Sequence, residues 1–180
     1  MNEPQQQQPI FGIDKIYIKD LSLEIPHAPE IFLSAEQPKM DVQLHHEHKA
    51  LSEGMYQVVL TVTVTAKTAE NAGENAGDKA GDKAGDKTGD KTGEKTVFLV
   101  EAAQAGIFQI RNVPEADLEP LLATACPTIL YPYVREIVST TIGRAGFPPI
   151  YLAPVNFDAI YLQRMQQAQE QAGPKIEIAH

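Results

Sequence analysis

Tyr56–Ala66 reads YQVVLTVTVTA. Val58, Leu60, Val62 and Val64 fall on one side of an extended chain, and Thr61, Thr63 and Thr65 fall on the other. Side chains alternate between the two faces of a strand, so this period of two, rich in β-branched residues, predicts a strand with one buried face. Reading outward, Met40, Val42 and Leu44 alternate with Asp41 and Gln43, which predicts a second strand upstream. Farther upstream Leu21, Leu23 and Ile25 alternate with Asp20, Ser22 and Glu24, giving a strand with one buried and one wet face that Pro26 and Pro29 end. Ile16 and Ile18 are out of phase with Leu21 and Leu23, which predicts a bulge or twist near Lys19. Downstream, Phe98, Val100 and Ala102 share one side and Leu99 and Glu101 the other. Four successive strands with no helix between them predict an antiparallel sheet, which is able to leave one face to water or to a partner.

Between the last two strands lies a tetrapeptide repeat, with glycine at 73, 77, 81, 85, 89 and 93. A period of four with acid–lysine pairs invites a helical reading. A glycine in each turn opposes it, at about 1 kcal/mol apiece relative to alanine. No large apolar side chain stands between Val64 and Val97 to anchor the segment. The expectation is a solvated low-complexity loop over residues 67–96, matching neither the collagen period nor a calcium-binding nonapeptide.

The remainder is helical with one interruption. Glu115–Ala125 predicts a short helix or turn. From Ile129 onward Leu130, Val134, Ile137, Val138 and Ile142 recur at helical spacing, Pro132 is expected near the first turn, and Gly143 and Gly146 are expected to end the helix. Ile129 and Tyr133 form a second apolar line, so this helix needs cover on more than one side. The run FPPIYLAPV (Phe147–Val155) cannot be regular helix, because Pro148, Pro149 and Pro154 interrupt it. Asn156 then reads as the N-cap of a last helix, with Asp158 in its first turn and Val155 and Ile160 at staple spacing. From Cys126 to Tyr161 the chain holds six of its twelve aromatics and only four charged residues. That is more apolar surface than one small domain buries against itself, and it points to contact with other chains.

At 180 residues the chain is expected to form one domain over 10–172, between a polar tail (1–9) and a C-terminal tail (173–180). A single cysteine excludes an intrachain disulfide and suits a reducing cytoplasm. The N-terminus lacks the basic and apolar regions of a secretory leader, and no apolar run approaches membrane-spanning length. The net charge of -9 argues against a nucleic-acid partner and favours a basic protein partner or simple solubility.

Three blocks, IYIKDLSLEIPHAP (Ile16–Pro29), FLVEAAQAGIF (Phe98–Phe108) and CPTILYPYVREIV through GFPPIYLAPVNFDAIY, resemble the SecB family of bacterial protein-export chaperones. With the YQVVLTVTVTA strand they span almost the whole chain outside the tails and the repeat. Two features depart from the family pattern: the long repeat, where relatives are expected to have a short turn, and a tail ending in PKIEIAH. The resemblance implies an α+β fold: a four-stranded antiparallel sheet with two helices packed on one face. It implies a homotetramer, a dimer of dimers, that holds unfolded precursor proteins export-competent and delivers them to the motor ATPase SecA, itself using no nucleotide or other cofactor.

By the same resemblance Asp20 and Glu24, with Leu99 and Glu101, match the SecA-contacting surface; the alternation puts all four on the outer face of the sheet. The client groove is expected from Met40, Val42, Leu44, Phe147, Ile150, Leu152 and Phe157, whose flexible and aromatic side chains repack around many partners. Core or subunit interface is the bland alternative for each. Three rival readings are weaker. Cys126 as a nucleophile is opposed by its apolar setting, which raises a thiol pKa, and no P-loop, Rossmann or Gly-x-Ser-x-Gly fingerprint is present. His45, His46 and His48 (HHEH) offer two ligands on one face, short of a closed zinc site. A SecB-like chaperone guarding an antitoxin keeps the fold and changes the client.

Overall fold

The structure, a computed structural model, describes residues 8–69 and 93–171. Most of the glycine-containing repeat, nearly all of the expected N-terminal tail and the whole of the expected C-terminal tail lie outside the described residues. Strands β1 (Ile10–Glu24), β2 (Lys39–Ser52), β3 (Met55–Ala69) and β4 (Glu94–Arg111) form one antiparallel sheet in the order β1-β4-β3-β2. Register fixes which face each residue takes. Val58 pairs with Gly106, Val62 with Ala102 and Val64 with Val100, so the apolar sides of β3 and β4 form one continuous surface. The ladder continues through Lys67↔Thr96 to Ala69↔Glu94, so both strands extend into the stretch read from sequence as loop. The alternating Thr and Lys side chains there still satisfy a strand's period, and paired backbone needs no apolar anchor.

The strand β1 carries two register breaks, between Ile13 and Lys15 and between Ile18 and Asp20. The second leaves Lys19 as the extra residue, as the phase change predicted. Each break resets the alternation. Phe11 and Ile13, then Ile16 and Ile18, then Leu21 and Leu23 all pair with β4 residues of the core side, Ile110, Phe108, Gly106, Gln104, Ala102 and Val100. Gln104 is buried there, and its Nε2 donates to Tyr17 O at 2.9 Å.

Helix α1 (Glu115–Pro120) runs through a π turn (Leu121–Ala125) into α2 (Cys126–Arg144), so the main helix begins earlier than Ile129. Pro132 therefore lies inside the helix. It and Thr128, whose carbonyl it cannot serve, are both exposed, which keeps the unserved acceptor toward solvent. Leu130, Val134, Val138 and Ile142 are fully buried against β3 and β4. The approach is close: a Cβ on Gly106 would stand 3.0 Å from Leu130 Cδ2 and 2.6 Å from Phe108 Cε2. Helix α2 ends on Gly146 at φ +91, with Gly146 N donating to Gly143 O and Phe147 N to Ile142 O, the paired bonds of a Schellman turn. Gly143 is ordinary helix. The proline-rich connector then leads to α3 (Phe157–Gln171), where Asn156 Oδ1 accepts from Ala159 N at 3.0 Å and caps the helix as predicted.

Because β3 and β4 are already in register at Ala69↔Glu94, replacing residues 70–92 by a short glycine turn is expected to leave a folded protein. Its stability should rise by about 1 kcal/mol from the shorter closed loop. Thermal unfolding of the two proteins, compared by circular dichroism, checks this; a collapse of the transition would overturn it.

Candidate docking face and apolar groove

Among the described residues, no helix packs on the outer face of the sheet. On it Asp20 pairs with Ala103, Ser22 with Glu101 and Glu24 with Leu99, which brings the four sequence-predicted residues into one patch on adjacent strands. Asp20, Glu24 and Glu101 are exposed and Leu99 is half-buried. Glu101 pairs with Thr63, whose hydroxyl donates to the carboxylate at 3.2 Å. The row of Glu24 and Leu99 continues through Thr65 to Asp41 on β2. Asp41 is thus a further exposed carboxylate that sequence reading did not include. Its alternation with Met40 and Val42 was the available signal; only strand order put it beside the others. Farther along this face Tyr17 packs over Val59, Ala103 and Ala105, and Gln57 Nε2 donates to the Tyr17 hydroxyl.

The opposite face has its own opening. Met40 and Val42 of edge strand β2 are 43% and 48% exposed, and Leu44 is half-buried. Facing this region, Phe147 stacks on Phe32 at 5.1 Å and leans on Phe98 at 4.9 Å. Phe147 and Ile150 are half-buried. Leu152 and Phe157, expected to line the groove, are instead core side chains, 7% and 2% exposed. Phe157 sits edge-on to Tyr131, and the Tyr131 hydroxyl donates to Ala153 O, so these two contacts pin the connector down. The apolar surface that sequence reading missed is Phe32 and Leu33, in a 3-10 turn (Glu30–Leu33), and Tyr151. Leu33 is 89% and Tyr151 79% exposed. The signal was present as three large apolar residues in a row, Ile31, Phe32 and Leu33, between Pro29 and Pro38, without periodicity to flag them.

Edge strand β1 contradicts the expectation of a buried face: Ile13, Ile18 and Leu21 are 50%, 52% and 42% exposed. The reason is width. Helix α2 covers β4 and β3 and stops short of β1. Tyr133 on α2 is also exposed.

The residues of the rival readings are separated or masked by packing. Cys126 is fully buried and burial pushes its thiol up to about 12, so it stays protonated. His46 and His48 lie on the helix side of β2, opposite Leu60 and Val58, and His45 lies on the other face. The Nε2 of His48 stands 3.3 Å from Glu119 Oε2. Among the described residues no cluster of three or more His, Cys, Asp or Glu side chains is placed to hold a metal ion. No helix among them is long and apolar enough to cross a membrane.

Burial lowers the pKa of His46, with the Arg164 cation a smaller cause, and its Nδ1 is buried with no hydrogen-bond partner among the described residues. The folded state therefore takes up this proton at a lower pH than the unfolded chain, which protonates it near pH 6.5. Stability contributed at this site is present above that pH and is lost as pH falls below it. His46→Gln should flatten the decline of the unfolding free energy as pH falls below about 6.5, measured by urea titration; an unchanged slope would contradict the assignment.

Comparison with known proteins follows the same outline. The family described as "Preprotein translocase subunit SecB" matches residues 4–76 and 86–168. The "Protein-export protein SecB" of Dechloromonas aromatica is 53% identical over 97% of this chain and 97% of its own length. That of Chromobacterium violaceum is 51% identical over 94% of this chain and 97% of its own. Among solved structures, a SecB-like chaperone from Mycobacterium tuberculosis, in complex with a peptide from an antitoxin, has the same fold at 18% identity. The TM-score is 0.56, covering 81% of this chain and 91% of that one.

Proposed function

This chain belongs to the SecB family of protein-export chaperones, and from that premise we propose how its two faces divide the work. The groove side holds unfolded precursors; the outer face docks on SecA. The carrying observation is their separation: the exposed apolar residues of β2 lie on the helix side of the sheet, and the carboxylates Asp20, Glu24 and Glu101 lie on the other. One molecule can therefore keep a client and meet a motor at the same time.

Client holding works by burial alone. An extended, unfolded segment laid along Met40, Val42, Leu44, Phe147 and Ile150 removes apolar surface from water, at about 25 cal/mol per Å2. Phe32, Leu33 and Tyr151 widen that surface. A client that stays unfolded loses little conformational freedom at each point of contact, so many weak contacts suffice. No bond is made or broken, and the protein is a binding device rather than an enzyme.

Docking on SecA is electrostatic in selection and weak per contact. Each exposed ion pair contributes about 0–1 kcal/mol. Four carboxylates around Leu99 act through their summed field, which steers a basic surface toward the sheet. The working form is a tetramer in the cytoplasm. The uncovered apolar side of β1, with Tyr133, supports assembly, since isolated monomers seldom leave such a stripe in water. An antitoxin-guarding role has only a distant fold likeness behind it, and the acidic outer face favours the export role.

Charge reversal separates the two faces. Glu24→Lys with Glu101→Lys should weaken SecA binding tenfold or more and leave holding of a denatured precursor unchanged, as read by calorimetry and by aggregation scattering. Val42→Asp with Ile150→Asp should do the reverse, with subunit count by light scattering as the control. Loss of both activities in both variants, with intact tetramers, would refute the division.

A further inference from the structure

One ion pair on the outer face crosses the sheet from edge to edge. Lys19, the extra residue of the β1 bulge, places its Nζ 3.2 Å from Oε1 of Glu47 on β2. Glu47 is opposite Val59, Val59 opposite Ala105, and Ala105 opposite Tyr17, so the pair spans the small side chains Val59, Ala103 and Ala105. The span is possible because nothing large stands on β3 and β4 at this row. The next rows along the same face hold Asp20, then Glu101, then Glu24 with Asp41. Successive residues of one face lie about 7 Å apart along a strand, so Asp20 falls within about one screening length of this row and Glu101 within about two. Lys19 also directly precedes Asp20 in the chain. Both members of the pair are about half exposed, so the contact is free to break and re-form.

The consequence depends on the proposed docking face and deepens it. We propose that Lys19 is a tethered counter-ion of the acidic face: paired with Glu47 it is held away from Asp20 and Glu101, and released from Glu47 it neutralises them and competes with the cationic segment of the partner. Glu47 thus keeps the face open by occupying the chain's own lysine. The bulge serves two ends. It returns Leu21 and Leu23 to the core side, and it adds a cation on the outer side next to the docking acids.

The two ends of the same bridge then have opposite effects, which a merely structural bridge would not produce. In calorimetric titration of the full-length chaperone with SecA at low salt, Lys19→Gln should tighten binding about two- to fivefold, and Glu47→Gln should weaken it by a similar factor. In the Lys19→Gln background, Glu47→Gln should change affinity by less than about 1.5-fold, because no lysine is left to release. All three effects should shrink toward unity near 0.5 M salt. The unfolding midpoint and the holding of a denatured precursor should not move. An equal Glu47→Gln effect with and without Lys19, or effects of the same sign at both ends, overturns the proposal. Asp20→Asn with Glu101→Gln is the companion measurement. If it weakens SecA binding while the Lys19 and Glu47 variants do nothing, the counter-ion proposal fails and the docking face stands. If it does nothing, both fall.

Discussion

One helix is too narrow for four strands. Helix α2 seats its Leu130, Val134, Val138 and Ile142 edge on β3 and β4, brought close by the missing side chain at Gly106. An α-helix is about 10 Å across and strands are about 4.8 Å apart, so one helix covers two strands and leaves the edges. Both edge strands nevertheless carry large apolar side chains on that face. The connector and α3 cover part of the β2 side, anchored by Phe157 and Leu152, and leave Met40 and Val42 open. Nothing among the described residues covers Ile13, Ile18 and Leu21 on β1. A sheet wider than its helical layer thus leaves apolar side chains open at both of its edges.

The outer face follows from the same sheet by register. Antiparallel pairing puts opposite residues on the same side, so four strands turn separate alternating carboxylates into a two-dimensional patch. Its contributors are distant in sequence, from Asp20 to Glu101, yet lie on neighbouring rows. Twin bulges on β1 keep this separation of faces intact over fifteen residues, where a simple alternation would have sent Ile16 and Ile18 outward.

Much of this was legible from residues alone. The Val58–Val64 alternation, the phase change at Lys19, the Asn156 cap and the Gly146 stop each rest on local stereochemistry, which a short stretch of sequence carries in full. The misplacements share a different cause. Leu152 and Phe157 resembled open apolar residues because a proline-rich connector has no period to reveal its inward side. Leu21 and Leu23 resembled core residues because alternation records which face a side chain takes, without recording whether a helix lies above it. Phe32 and Leu33 went unread because a 3-10 turn of four residues is too short to show a pattern.

The sequence by itself determined the existence and order of the four strands, the Gly146 stop and the Asn156 cap, the family and the opposition of an acidic to an apolar side, because each is a property of near neighbours or of whole motifs. Only the tertiary structure decided which apolar residues remain in water, that Asp41 joins the acidic patch, and that Lys19 meets Glu47 across the sheet. Those outcomes depend on strand order and on the width of the helical layer, and both are set by packing between segments that are far apart along the chain.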